Sequence, residues 1–183
     1  MFEDEASFWL DGTLHQTWSK VGQQPRVDTY GMRKTAHVYG AIALDDADFV
    51  YRFAPKFNGH TFHEFLEQVV DHYAPRKVFL VIDNGSCHWL DEPGKRWLAE
   101  NQARIQLCRL PPYSPEFNPV EGVWKCTRKL TTHNRFYRNV EDRDAALTAT
   151  FERFRSERAL IEGHVMRFRD PDPEMIGGLR EDV

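Results

Sequence analysis

The sequence predicts an α/β protein: a mixed sheet, antiparallel in its first part and parallel later, with helices on both faces. Three observations predict it. Up to residue 54, apolar residues alternate with polar ones at the period of half-buried strands. From residue 61 the period becomes helical, and two short apolar runs, KVFLVI and IQLCRL, alternate with helical segments. Between them and the last helices lies LPPYSPEFNPVEGVWKCTRK, residues 110–129, which joins a proline-rich turn to a helix start.

Taken in order, residues 2–10 read as a strand with Phe2, Asp4, Ala6 and Phe8 on one face and Glu3, Glu5 and Ser7 on the other. Asp11-Gly12 is a turn signal, and residues 13–19 are expected to return as a second strand. Residues 22–34 read as a loop, 35–44 as a strand, and 49–54 as its antiparallel partner. Phe62, Phe65, Leu66, Val69 and Val70 place a helix over 61–73, ended by Pro75. Residues 77–82 form a strand expected to be covered on both faces. A helix follows at 91–101, a strand at 105–110, and helices at 118–130 and 140–163. In the last of these, Leu147, Phe151 and Phe154 form an apolar stripe.

The 183 residues suffice for one domain with a real core. We expect that domain over residues 1–165 and an acidic, flexible tail over 166–183. No run approaches a membrane span, and the acidic start, MFEDEASFWLDG, does not read as a signal or transit peptide. Cys87, Cys108 and Cys126 lack CxxC spacing, so neither a disulfide framework nor a structural zinc site is indicated, and a reducing, cytoplasmic setting fits. Net charge is −4, but residues 104–169 carry 13 basic against 8 acidic side chains. A polyanion-binding surface should therefore lie there.

Asp4 shares a face with Phe2, Ala6 and Phe8, Asp83 ends the most apolar strand, and Glu121 opens a helix. Each has an ordinary reading: a solvated strand residue, a turn former in Asp83-Asn84-Gly85, and a capping box between Asn118 and Glu121. Together they read differently. Converging carboxylates repel unless a cation neutralises them, and a few hard oxygen ligands select Mg²⁺ or Mn²⁺. That is the donor set of two-metal phosphoryl transfer.

The blocks FEDEASF, TWSKVGQQP, LVIDNGSCH and LPPYSPEFNPVEGVWKCTRK, in this order, resemble the catalytic domain of bacterial insertion-sequence transposases of the mariner superfamily. The likeness runs over about residues 1–165, and its last block is the most specific. It implies an RNase H-like fold and a DDE triad of Asp4, Asp83 and Glu121, with 37 residues between the last two. It further implies two Mg²⁺ (or Mn²⁺) ions on that triad, and DNA strand cleavage and transfer at transposon ends into target DNA. Expected partners are DNA, a second copy of the chain, and a separate N-terminal half carrying a helix-turn-helix. The expected location is the bacterial cytoplasm, on the nucleoid when DNA-bound.

Around the triad, Asn84, His88 and Asn118 are candidate supports. Trp124 is expected to anchor its helix in the core. Lys125, Arg128, Lys129 and Arg135, with Arg138 beyond, are candidate DNA contacts. Alternation sets Glu3 and Glu5 opposite Asp4, and they are expected to be solvated. Two other readings remain open: an idle fragment that acts only by binding partners, and another RNase H-like nuclease, such as one acting on RNA–DNA hybrids.

Overall fold

Strand β1, Phe2–Trp9, occupies the middle of a five-stranded sheet of order β3-β2-β1-β4-β5 in the computed structural model, which describes residues 1–31, 34–112 and 114–169. Strands β2, Thr35–Ile42, and β3, Phe49–Ala54, complete an antiparallel meander. Strands β4, Val78–Ile82, and β5, Ile105–Arg109, extend the sheet in parallel on the other side of β1. The parallel crossovers run through α1, Gly59–Tyr73, and α2, Glu92–Glu100. Helices α3, Val120–Thr127, α4, Val140–Ser156, and α5, Ala159–Arg169, follow.

Period-2 alternation in β1 and β2 divides the core in two. Ala6, Phe8, Ala36, Val38 and Ile42 face α3, α4 and α5, against Val123, Trp124, Leu147, Phe151, Phe154, Ile161 and Val165. Tyr39 and Ala41 face the other way, onto Phe62, Phe65, Leu66, Val69 and Val70 of α1. Helices thus cover both faces, the RNase H-like arrangement expected. Gly40 lies opposite Asp4 in the β1–β2 register. An added Cβ there would stand 2.4 Å from Cη2 of Trp124, so only glycine admits the indole this close to the sheet.

Local signals explain most boundaries. Asn58 caps α1 by accepting from the Thr61 N–H at 2.9 Å, and the Thr61 hydroxyl reciprocates on the Asn58 N–H. Asp91 caps α2 through the Gly94 N–H. Four expectations fail. Residues 13–19 form no strand, because the Asp11-Gly12 turn packs on a later segment: Asp11 bridges to Phe136, and the His15 N–H donates to the Asn134 side chain at 2.9 Å. The single helix expected over 140–163 is two, broken at Glu157–Arg158, where Arg158 reaches Asp46 at 2.5 Å and Asp48 at 3.0 Å. The α-helix expected to reach residue 130 ends at Thr127 and continues as a π-turn through Arg128–Thr132. Strand β4 is covered on one face only, since Phe79 is exposed. Helix α5 takes in residues 166–169 of the expected tail, whose remainder lies outside the described residues.

Candidate active site at the end of the central strands

Asp4, Asp83 and Glu121 line one cavity of about 450 Å³, together with Asn84, Leu110, Pro111, Pro112, Ser114 and Asn118. Strand β1 supplies Asp4, the turn after β4 supplies Asp83, and the first turn of α3 supplies Glu121. The proline-rich turn forms the wall opposite; its Tyr113 lies outside the described residues.

Each carboxylate is held differently. Asp4 accepts the indole N–H of Trp124 at 3.1 Å, so the core anchor of α3 also aims the strand carboxylate. Burial pushes Asp4 up to about 7; Glu5 adds to this, the Glu5 backbone opposes it, and Asp83 and Glu121 add further. Asp83 is half exposed and accepts the Gly85 N–H at 2.6 Å, so the turn-former reading is also correct. Glu121 is 40% exposed and pairs with Lys125 at 3.6 Å across one helical turn. The capping box is absent. Asn118 accepts the Val120 N–H at 3.1 Å and donates to the Glu3 carbonyl at 2.8 Å, which pins the start of α3 to β1. The Glu121 carboxylate lines the cavity.

Asn84 donates to the Leu110 carbonyl at 2.9 Å, tying the ends of β4 and β5 together at the cavity floor. His88 is buried beneath, with Nδ1 3.0 Å from Asp83. The expectation of solvated Glu3 and Glu5 is wrong. Glu3 is fully buried, and Glu3 and Glu5 approach Nε2 of His88 at 2.9 and 3.1 Å. Alternation placed them correctly opposite Asp4, but α1 and the turn Ser86–His88 cover that face.

An adjoining cavity of about 510 Å³ shares Asn118 and Glu121 and adds Glu116, Lys125, His164 and Arg167. Lys125 thus stands beside the carboxylates, whereas Arg128 is half-buried, its guanidinium 5.4 Å above the Phe8 ring. Lys129 and Arg135 are exposed and line neither cavity. His164 and Arg167 escaped sequence reading because nothing in α5 separates them from an ordinary solvated helix face.

The model of the DDE superfamily endonuclease family matches residues 1–143, most of the chain and all three carboxylates. The chain belongs to that family. No curated protein matches it. Among solved structures, this DDE-family chain is similar to the Mos1 transposase paired-end complex with left transposon end, at TM-score 0.66 and 12% identity, covering 91% of this chain and 51% of that one. The mariner Mos1 paired end complex with Mg gives TM-score 0.65, 12% identity and the same coverages. A simian T-cell lymphotropic virus intasome in complex with PP2A regulatory subunit B56 gamma gives 0.56, 12% identity, 84% and 46%. The DDE-family chain spans about half the length of the structures it matches, and at these identities the likeness is one of fold.

Proposed function

We propose that this DDE-family chain is a transposase catalytic domain that cleaves and joins DNA strands with a divalent metal held by Asp4, Asp83 and Glu121. The observation that carries this reading is the convergence of the three carboxylates in one cavity, with Asp4 pushed up to about 7 by burial and by neighbours of like sign. Such a group gains most from a cation, and the all-oxygen donor set suits Mg²⁺ or Mn²⁺. Bound there, a pair of such ions would activate water or a 3′-hydroxyl and stabilise the departing oxygen of a phosphodiester.

The chain's own residues prepare the site. Trp124 fixes Asp4, the Gly85 N–H fixes Asp83, and Asn118 docks the helix that carries Glu121. Lys125, with Arg167 across the adjoining cavity, is placed to hold phosphates of a strand leaving the carboxylates. Lys129 and Arg135, exposed but outside both cavities, are further candidate contacts for phosphates. Magnesium in one of the similar Mos1 structures supports the choice of ion, and transposon-end DNA in another supports the choice of substrate. Working as a homodimer, with a helix-turn-helix half supplied separately, belongs to the same proposal.

The test is nicking of duplex DNA by the purified chain with Mn²⁺ or Mg²⁺. We expect metal-dependent nicking that falls at least a thousandfold in Asp4→Asn, Asp83→Asn and Glu121→Gln, with circular dichroism unchanged. Full activity in any one variant would remove that residue from the site; metal-independent nicking would sink the proposal.

A further inference from the structure

On the face of β1 opposite Asp4 lies a cluster that the proposed reaction does not use. Glu5, Cys87 and His88 offer one carboxylate oxygen, one sulfur and one ring nitrogen that all lie within 4.8 Å of one another. The Cys87 thiol donates to the Glu5 carboxylate. Glu3 adds a second carboxylate 2.9 Å from Nε2 of His88. His88 packs edge-on against Phe62 of α1, at 4.6 Å between centroids, so the pocket is closed by the core.

Proton counting shows what is odd about this cluster. An imidazolium has two N–H donors, one per nitrogen. Nε2 faces two carboxylate oxygens, at 2.9 and 3.1 Å, and Nδ1 faces Asp83 at 3.0 Å. These distances suit ion pairs, yet both ring nitrogens and both Glu3 oxygens are buried without a partner in hydrogen-bond geometry. Glu3 is 0% and His88 2% exposed, so bulk solvent does not reach them. Zn–N and Zn–O bonds of about 2.0–2.2 Å set tetrahedral ligand atoms about 3.3–3.5 Å apart, so an outward shift of a few tenths of an ångström would admit one cation between them.

We propose that Glu5, Cys87 and His88 form a second metal site, for a borderline-soft divalent ion such as Zn²⁺, distinct from the oxygen-lined cavity on the other face. The mixed S, N, O set selects Zn²⁺ or Co²⁺ over Mg²⁺. Cys87 gives up its thiol proton on binding. The Cys87 thiolate and the Glu5 carboxylate together neutralise the ion, and Glu3 is the nearest further carboxylate for the fourth position. With Nε2 on the ion, Nδ1 keeps its proton toward Asp83, the pattern by which metal-bound histidines are oriented by a carboxylate. The ion would then brace Asp83 from below; this consequence alone rests on the proposed function.

Titration of the chelator-stripped full chain with Co²⁺, under saturating Mg²⁺ to occupy the oxygen-lined cavity, tests the site without an activity assay. We expect one equivalent to raise a thiolate-to-cobalt charge-transfer band, bleached by one equivalent of Zn²⁺. Cys87→Ser and His88→Ala should lose the band, while Asp4→Asn and Glu121→Gln keep it. No band in the wild-type chain, or one that survives Cys87→Ser, overturns the proposal. Should the single variants not fold, Cys108→Ser with Cys126→Ser decides: the band must persist, and its loss would place the sulfur ligand elsewhere. A wild-type chain that shows the band but no metal-dependent nicking would reject the proposed function and leave this site standing.

Discussion

At the scale of single residues, the indole of Trp124 serves both stability and chemistry. It fills the core between β1, β3 and α4, with rings 6.0 Å from Phe8, 5.9 Å from Phe49 and 6.2 Å from Phe151, and it donates to Asp4. Trp124→Phe removes the donor while keeping most of the ring. We expect the folded chain to bind Mn²⁺ about 10- to 100-fold more weakly, the usual effect of losing a group that orients a metal-binding side chain. Calorimetric titration measures this, and unchanged affinity would show that Asp4 needs no such support. The three cavity carboxylates were legible in the sequence, because Asp4 lies within the first strand on its apolar face, Asp83 follows a strand and Glu121 opens a helix, each in a distinctive block. The burial of Glu3 and Glu5 was not, because alternation reports which face a side chain takes and not what later covers it. The residues that cover this face, Phe62 and Cys87-His88, are more than fifty positions away in sequence.

At the scale of elements, the approach of α3 to the sheet depends on Gly40. An alanine there would bring Cβ to 2.4 Å from Cη2 and 2.7 Å from Cζ2 of Trp124, and to 3.0 Å from Phe49. The indole is rigid and buried, so α3 must shift. We expect Gly40→Ala to cost about 1–3 kcal/mol, as overpacking usually does, read as a Tm several degrees lower by calorimetry. Strands β1 to β5 and helices α1 and α2 were legible almost to the residue, because their periods and caps are local. The break between α4 and α5 was not: the residues before and after it are good helix formers, and what stops the helix is distant. Arg158 is drawn to Asp46 and Asp48 in the β2–β3 turn, 110 and more positions earlier.

At the scale of the whole molecule, that same contact ties the C-terminal helices to the meander. Burial would raise the Asp48 carboxyl, but hydrogen bonds from His72 at 2.6 Å and Tyr73 at 2.8 Å, with the charges of His72 and Arg158, hold it below its ordinary value. A carboxyl lowered in the folded state stabilises above its unfolded pKa of about 4, and that contribution is lost as pH falls through the folded value. We therefore expect Asp48→Asn to be less stable than wild type at pH 7, by about 1–3 kcal/mol. The two unfolding curves should converge as the pH falls from about 5 toward 2. Curves that stay parallel would show that Asp48 adds nothing through its charge. No helix among the described residues is long and apolar enough to cross a membrane.

The proposed chemistry requires that the three carboxylates hold metal together. Anomalous diffraction from a crystal of the chain soaked in Mn²⁺ reads this directly. The predicted result is a manganese peak in the cavity between Asp4, Asp83 and Glu121, absent from an isomorphous Asp4→Asn crystal. Manganese bound elsewhere, with none at these carboxylates, would contradict it.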